Sequence, residues 1–502
     1  GGTSGVITVT TGAWTVSGNW NTSGAGSTYT QGTGIVTFDA TATITLLSTD
    51  NTFDDLTISA GTVTLATAVI VTNALTISGG TFAKSTFAIT SAGSLTMSGG
   101  DLTSTSGAVA ITGAVNISSA LSAIDFGSET WTVSGTWTNA STDSAWDAGS
   151  GTVTFDSATG GTMTFAGTNL AEDEFNNVTF TSSAGTAQTF TMATRGLRLG
   201  GTLTVSDGVS TTALDTSVGN LAVTAGAVTI GAGGIVTANG STITVSGNWT
   251  SSAGTFTYGT STVVFAASGT ITQTGAAREV NTLYNLTINA GITATLATAI
   301  SIGQVFTLNG TITGAFDIFM NVTIANPLVL GVGHGFGTTK YMILLFTVAF
   351  NLPASTAYTK LAIENNSGAA LTVTVQGNIQ LSGDLILGYL GSSLTILAAG
   401  TNNVTTGIDA DVLSLVLRGT PGGALTFTSG ILTVNGSVDI QTAASYLSLG
   451  SGAHSVAAAW TNSTTSASWD AGTGTVTFTS ATGGTMTFAG ANLAEAEFNS
   501  VT

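Results

Sequence analysis

Two copies of one 34-residue stretch constrain the possible fold of this chain more than any other feature. The first copy spans Trp146–Thr179 and the second spans Trp469–Thr502, 323 residues later. The two copies are identical at 29 of their 34 positions. A repeat this close is typical of an array of similar units rather than of a globular enzyme. We therefore expect a repetitive architecture.

Shorter motifs recur along the chain and suggest a longer period. Four of them end in a tryptophan and read WTVSGNW, WTVSGTW, ITVSGNW and HSVAAAW. The closing residues are Trp20, Trp137, Trp249 and Trp460, so the intervals are 137 − 20 = 117, 249 − 137 = 112 and 460 − 249 = 211. The last interval is close to two shorter ones, which indicates that one unit has lost its tryptophan.

These intervals predict how the repeats divide the chain. We expect one continuous solenoid made of repeat unit 1 (1–130), repeat unit 2 (131–242), the first part of unit 3 (243–326), a degenerate region (327–453) and the start of a further unit (454–502). The degenerate region holds the three prolines of the chain.

Composition and alternation favour short β-strands. Threonine, valine and isoleucine are abundant, and Gly, Asn-Gly and Ser-Gly pairs punctuate the chain every ten residues or fewer. In WTVSGTW, alternation places Trp131, Val133, Gly135 and Trp137 on one face of a strand.

Two all-β folds compete for this pattern: a parallel β-solenoid and a tandem array of β-sandwiches. The chain has no cysteine and few prolines, so sandwich hallmarks are missing. We predict the solenoid, right-handed because parallel crossovers almost always are. Roughly 20 residues per coil would give about 25 coils and a rod on the order of 120 Å long. Neither end of the chain reads as a cap, so we expect tip-to-tip continuation in the same or another polypeptide.

Charge, cysteine content and hydropathy argue against several kinds of partner and site. The formal net charge is −18 with only seven basic residues, which argues against nucleic acid as a partner. The absence of cysteine excludes disulfides, thiolate metal sites and cysteine nucleophiles. The most apolar run, residues 341–350, has about half the length that a membrane span requires, so we expect a buried strand and no span in this segment.

The repeated phrases resemble a known class of protein. The motifs GTGTVTF, FNNVTF and LYNLTINAG, followed by strands such as TLTVSDG, resemble the repeats of very large secreted prokaryotic surface proteins. This class includes the filamentous-haemagglutinin-like adhesins with right-handed parallel β-helices. The resemblance covers most of the chain and is weak between Pro327 and Pro421. It implies an extracellular or cell-surface fibre, adhesin or coat component.

Acidic residues provide the candidates for a metal site. Glu172, Asp173 and Glu174 are consecutive, and the second copy keeps Glu495 and Glu497. Calcium is the only cofactor that these residues suggest, and it requires about six or more oxygen ligands. The alternative is a solvated turn.

A carboxylate pair and two histidines are the candidates for catalytic groups. Asp54-Asp55 is similar to the paired carboxylates of polysaccharide-cleaving enzymes, but the matching pair is Asn176-Asn177, which favours a surface loop. His454 takes the place of Trp131 in the repeat, so we expect a packing role for it. His334 lies in a glycine-rich loop. We predict no catalytic residue.

The sequence offers candidate residues for glycan binding and for glycosylation. Trp146 and Trp469, each followed by Asp-Ala-Gly, are candidates for sugar stacking at corners. Among many N-x-S/T sequons, the candidate glycosylation sites are Asn21, Asn139, Asn248, Asn285 and Asn462.

These observations predict a non-enzymatic structural protein, located outside the cell or at its surface. It would form a fibre, sheath or layer by self-association. The alternative is an adhesin stalk that binds glycans or a host surface, and a carbohydrate-active β-helix enzyme is the third possibility.

Overall fold

The structure is a computed structural model that divides the chain into two compact units, residues 1–261 and 262–502. The residues that it describes are 5–24, 26–47, 49, 51–273, 282–367, 371–387, 394–398, 404–406, 413–417, 423–480, 483–493 and 496–502. The division falls inside the predicted third repeat, 243–326.

Both units are parallel β-solenoids, and the chain makes about 20 turns. Strands from successive coils pair in parallel, as in the pairing of Thr152–Asp156 with Asn177–Thr181 in the first unit and of Ile318–Val322 with Met342–Phe346 in the second. This confirms the predicted parallel solenoid over the array of antiparallel sandwiches. Helical structure is limited to two 3₁₀ turns in the described residues, Gly167–Asn169 and Gly490–Asn492.

In the first unit the strands form several sheets that run from coil to coil. One sheet contains Ala13–Val16, Ile35–Phe38, Asp55–Ile58, Ala74–Ile77, Ser94–Met97, Val115–Ile117, Trp137–Asn139, Gly161–Thr164, Gln188–Met192, Thr212–Asp215, Gly234–Thr237 and Thr255–Thr257. A second contains Thr52–Phe53, Val69–Val71, Ile89–Ala92, Val109–Ile111, Thr130–Val133, Thr152–Asp156, Asn177–Thr181, Thr202–Val205, Ala227–Ile230 and Trp249–Ser251. Shorter groups are Val6–Val9 with Thr28–Gln31; Trp20–Asn21, Ala42–Thr45, Thr62–Leu65, Thr81–Ser85 and Asp101–Ser104; and Leu197–Arg198, Val223–Ala225 and Thr242–Val245.

The second unit is built in the same way. Its longest sheet contains Ile300–Ile302, Ile318–Val322, Met342–Phe346, Leu361–Asn365, Leu385–Leu387, Leu413–Leu417, Ser437–Ile440, Trp460–Asn462 and Met486–Thr487. A second contains Ser355–Tyr358, Ile379–Leu381, Val404–Thr406, Leu432–Val434, Ala453–Val456, Thr475–Phe478 and Ser500–Val501. The remaining groups are Phe350–Leu352, Leu371–Val375, Leu394–Ala398, Gly423–Phe427 and Tyr446–Ser448; Thr262–Phe265, Asn285–Ile288, Phe306–Leu308 and Leu328–Leu330; and Gly269–Gln273, Thr293–Leu296 and Thr311–Thr313.

Alternation within each strand explains the core. Successive side chains point to opposite faces, so every second residue of Thr152–Asp156 is buried. The strand register then stacks apolar side chains of successive coils on one another. Val153 pairs with Val178, which pairs with Leu203 in the next coil. On the outer face Thr154 pairs with Thr179 in the same way. Each coil thus covers the apolar side chains of the one before it.

The number of turns is lower than the 25 expected from a fixed coil length. Leu75 pairs with Leu95, 20 residues later, whereas Val153 pairs with Val178, 25 residues later. The extra residues of the longer coils lie outside the strands.

The WTVSGTW motif also differs from its prediction. It does not form one strand, because Thr130–Val133 and Trp137–Asn139 belong to different sheets. The chain turns a corner between them, and both tryptophans still reach the interior. Gly135 occupies this corner, where a Cβ atom would lie 2.3 Å from the backbone of Gly113. Alternation cannot reveal such a corner, because both flanking tryptophans are apolar.

The apolar run 341–350 does form a buried strand, Met342–Phe346, as predicted. No helix among the described residues is long and apolar enough to cross a membrane.

Candidate functional site

The repeated stretch builds a polar centre inside the first unit, around the carboxylate of Glu174. Strand Trp137–Asn139 contributes two donors: Trp137 Nε1 and Asn139 Nδ2 each donate to Glu174 Oε1 at 3.0 Å. The loop before the 3₁₀ turn contributes two more, because the backbone N–H groups of Ala166 and Gly167 donate to Oε2 at 2.8 and 3.5 Å. Glu174 is 0% exposed. The carboxylate is therefore enclosed by N–H donors.

Burial and hydrogen bonding act on this carboxyl group in opposite directions. Burial disfavours the charged form and raises the pKa of Glu174 to about 7. The donors from Asn139, Trp137 and the backbone favour the charged form and lower the pKa, but they offset only part of the effect of burial. The carboxyl group of Glu174 therefore titrates near neutral pH, although it lies in the interior.

The backbone of Glu174 is held as well as its side chain. Trp146 Nε1 donates to the carbonyl oxygen of Glu174 at 3.0 Å, and the N–H of Glu174 donates to the carbonyl oxygen of Arg198 in the next coil at 3.0 Å. The centre thus connects Trp137, Trp146 and Arg198 from three parts of the chain.

The second unit repeats this centre around Glu497. Trp460 Nε1 and Asn462 Nδ2 donate to Oε1 of Glu497 at 2.9 and 2.8 Å. Ala489 N donates to Oε2 at 2.9 Å, and Trp469 Nε1 donates to the carbonyl oxygen of Glu497 at 3.0 Å. The near-identical copies therefore share one hydrogen-bond arrangement as well as a sequence.

The related motifs without this glutamate leave an indole N–H without a partner. Trp20 and Trp249 close the same motif as Trp137. In the later motif of their units, which corresponds to Glu174-Phe175, the residue in the place of the glutamate is threonine and it is followed by phenylalanine or leucine. In the described part of the chain, the Nε1 atoms of Trp20 and Trp249 have no protein hydrogen-bond partner. Glu174 thus satisfies a donor that the fold otherwise leaves unpaired.

A second buried polar cluster joins Lys84 and Glu129. Their side chains are 0% exposed, and Lys84 Nζ lies 2.6 Å from Glu129 Oε2. Lys84 also donates to the carbonyl oxygens of Ser106 and Gly107 at 2.7 Å each, while Trp131 Nε1 donates to Glu129 Oε1 at 2.7 Å. Burial lowers the pKa of Lys84, and its bond and charge attraction to Glu129 oppose that shift. The cluster bridges successive coils.

The paired carboxylates Asp54 and Asp55 bind the neighbouring coil. Asp55 Oδ1 accepts from the backbone N–H of Ala74 at 3.0 Å, and Asp54 Oδ1 accepts from Thr72 Oγ1 at 3.0 Å. Asn177, which matches Asp55 in the repeat, likewise accepts from the N–H of Thr202 at 2.8 Å. The shared function of this position is to accept a hydrogen bond at the start of the next strand, and an amide serves as well as a carboxylate.

An open pocket of about 420 Å³ lies beside the Glu174 centre, on the outer side of the 3₁₀ turn. It is lined by Gly167, Thr168, Thr194, Arg195, Gly196, Leu197, Arg198, Leu221, Ala222 and Thr224. Gly167 belongs to both sites, because its N–H faces Glu174 while the residue also lines the pocket. The two arginines are the only close basic pair in the sequence.

The acidic tripeptide does not converge on one point. Glu172 is exposed, Glu174 is buried, and Asp173 Oδ1 lies 3.5 Å from Arg198 Nη2. In the second copy Glu497 faces N–H donors, and Glu495 lies outside the described residues. Within the described ranges no three acidic or histidine residues are grouped so that they could hold a metal ion. The carboxylates of Glu174 and Glu497 thus face N–H donors, whereas a calcium ligand must direct its oxygens at the ion.

The tryptophans predicted to stack on sugars are interior residues. Trp146 and Trp469 are each 2% exposed, and their indole N–H groups donate to the backbone carbonyl oxygens of Glu174 and Glu497, respectively. This corrects the prediction, since neither ring presents a face to solvent. The motif Trp-Asp-Ala-Gly suggested that the tryptophan lies at an exposed corner of a coil, but its indole ring points into the core.

Two predicted glycosylation sites are corrected for the same reason. Asn139 and Asn462 are 0% and 2% exposed, and their amide groups donate to Glu174 and Glu497. Asn21 and Asn248 are exposed and Asn285 is half-buried. These three remain predictions.

The two histidines lie in different environments. His454 is 2% exposed and pairs with Val476, the position that corresponds to the pairing of Trp131 with Val153, so its packing role is confirmed. His334 Nε2 contacts Ser355 Oγ at 2.7 Å.

Sequence reasoning missed Lys84, Glu129 and Asn139 as buried polar groups. A signal was present: alternation in Thr81–Ser85 places Lys84 on the inner face with Phe82, and register places Asn139 above Ile117. Searches for related families, curated proteins and solved structures found no match to the chain.

Proposed function

We propose that this protein is a non-enzymatic structural component of an extracellular fibre, sheath or cell-surface layer, built by self-association of β-solenoid units. A class of large surface proteins with similar repeats, the filamentous-haemagglutinin-like adhesins, suggested this function from the sequence. The proposal includes a location outside the cell or at its surface.

One observation supports the structural role above the others. In both centres a buried Trp and a buried Asn donate to one Glu carboxylate, so these polar groups connect coils rather than face solvent. Asp55 and Asn177 likewise bind the backbone of the next coil. A chain that repeats its internal connections and varies its outer surface is suited to building length rather than to chemistry at one site.

Backbone pairing supplies a means of association. Within each unit, successive coils are joined by parallel strand pairing. Strands of this kind are also templates for pairing with another chain. We propose that separate copies associate through the same kind of pairing.

Electron microscopy of the purified 502-residue chain tests this proposal. We expect filaments or ordered sheets that lengthen with protein concentration and form without any ligand. A calcium chelator forms a further arm, in which loss of assembly would assign a cation to the interface. Isolated particles at every concentration would contradict self-assembly.

A further inference from the structure

We propose that the pocket beside the Glu174 centre binds an anionic saccharide unit, with Arg195 contacting its acidic group. This inference goes beyond the structural role. It rests on the cavity of about 420 Å³ and on the two arginines that line it.

Arg195 is the arginine of the pocket that we expect to contact an anionic ligand. With the Asn169 amide oriented to place its oxygen toward the guanidinium, Arg195 Nε and Nη2 donate to it at 3.2 and 3.1 Å. No carboxylate among the described residues lies within ion-pair distance of Arg195. The remaining N–H groups of a planar guanidinium suit a carboxylate or sulfate.

Arg198 has a different role. Its Nη1 donates to the carbonyl oxygen of Leu170 at 3.2 Å, and its Nη2 lies 3.5 Å from Asp173 Oδ1. Arg198 is thus held by the loop that leads to Glu174. We infer that it shapes the wall of the pocket, and that Arg195 provides the charge-assisted contact.

The rest of the lining fits a sugar ring. Thr168 and Thr194 are exposed and carry hydroxyl groups, while Leu221 and Ala222 supply apolar surface. Sugars present both hydroxyl groups and C–H faces, so a mixed lining suits them better than it suits a simple inorganic ion. The acidic group is assigned to Arg195, because elsewhere the net charge of −18 would repel an anion.

The pocket is preorganised by its neighbours. The N–H of Gly167 is directed at the buried Glu174, which fixes the 3₁₀ turn from below. Thr194 has φ +74°, a backbone conformation that is unusual for a β-branched residue and that positions Arg195 next to it. A lining fixed in advance loses little conformational freedom on binding.

Titration calorimetry with the full chain tests the proposal. The probes are oligogalacturonate, a heparin-derived oligosaccharide and neutral galacto-oligosaccharide. We expect saturable binding of at least one acidic probe and no binding of the neutral one. Binding of oligogalacturonate would show that a carboxylate suffices, whereas binding of the heparin-derived oligosaccharide alone would show that sulfate is needed.

Variants assign the binding to this pocket. Arg195→Gln should weaken binding roughly tenfold or more, because a charge-assisted hydrogen bond is lost. Lys340→Gln is the matched control: it removes the same charge at an exposed residue of the second unit and should leave binding unchanged. Ala222→Trp should block the pocket without changing charge. Equal binding of acidic and neutral probes, equal affinity in Arg195→Gln, or no binding of either acidic probe would overturn the proposal. None of these outcomes depends on whether filaments form.

Discussion

Trp137 and Glu174 are 37 residues apart in the chain, and the indole N–H of the first donates to the carboxylate of the second at 3.0 Å. Trp460 and Glu497 form the same bond at 2.9 Å in the second unit. Both bonds lie beneath a 3₁₀ turn whose backbone N–H groups face the same carboxylate. The most closely repeated sequence of the chain thus encodes a connection between coils.

Replacing Glu174 by glutamine at pH 5 should destabilise the first unit by roughly 1–3 kcal/mol, because the amide has one more donor hydrogen than the protonated carboxyl and the N–H groups of Ala166 and Gly167 offer it no acceptor. Hydrogen exchange of first-unit amides measures this loss. Glu172→Gln makes the same substitution at an exposed residue two positions earlier and should have no effect. Equal protection in both variants would show that the centre contributes nothing to stability.

The same carboxyl group should make first-unit stability depend on pH. Its pKa rises from 4.5 in the unfolded chain to about 7 in the folded one, so the folded state retains a proton that the unfolded state has lost. The contribution of Glu174 to the free energy of unfolding is therefore present below pH 4.5 and declines by on the order of 3 kcal/mol as the pH rises to about 7.

Comparing the wild type with Glu174→Gln isolates that contribution. Unfolding is followed between pH 4 and 8, and the difference between the two proteins should narrow as the pH rises. A difference that is constant over this range would contradict a raised pKa for Glu174.

Much of the fold follows from the sequence, whereas most of the site does not. Repeats, alternation and glycine-rich corners predict parallel coils, because these features act between neighbours in the chain or in the next coil. Burial of Glu174 depends instead on residues 166–174 folding beneath strand Trp137–Asn139. Read locally, Glu172, Asp173 and Glu174 form one acidic patch, and only the non-local contact reveals their three different environments.

The buried pair of Lys84 and Glu129 should be strongly coupled. Lys84→Met or Glu129→Gln alone leaves a charge in the interior without its partner and should cost roughly 3–5 kcal/mol, whereas the double variant should cost less than the sum. Chemical denaturation of the four proteins measures the coupling. The half-exposed pair of Arg198 and Asp173 is the control, and Asp173→Asn should cost about 0–1 kcal/mol. Additive costs for Lys84 and Glu129 would mean that the two do not act as a pair.

His454 should give the second unit a pH dependence of the opposite direction. Its Nδ1 accepts from the N–H of Leu432 at 3.0 Å and its Nε2 contacts the carbonyl oxygen of Leu449 at 2.7 Å, so the folded state holds the neutral imidazole. Burial lowers the pKa of His454 below 6.5. As the pH falls below about 6.5 the unfolded chain takes up a proton first, and second-unit stability decreases.

Hydrogen exchange of second-unit amides between pH 5 and 8 follows this decrease. His454→Phe keeps an aromatic ring in the slot and should remove the pH dependence, at a constant cost of roughly 1–3 kcal/mol for the unpaired N–H of Leu432. Persistence of the slope in His454→Phe would assign it to another group.

Gly135 should be intolerant of any side chain, because a Cβ atom there would lie 2.3 Å from the backbone of Gly113 in the preceding coil. Relieving the clash requires the coils to separate, so Gly135→Ala should lower the free energy of unfolding of the first unit by roughly 1–3 kcal/mol. Gly18 holds the same place in WTVSGNW, but nothing lies within 4 Å of its Cβ position. Gly18→Ala is thus a control with the same motif and the same chemical change, and it should leave stability nearly unchanged. Thermal unfolding of the two variants distinguishes coil-to-coil contact at the corner from a general requirement for glycine, since equal losses would indicate the latter.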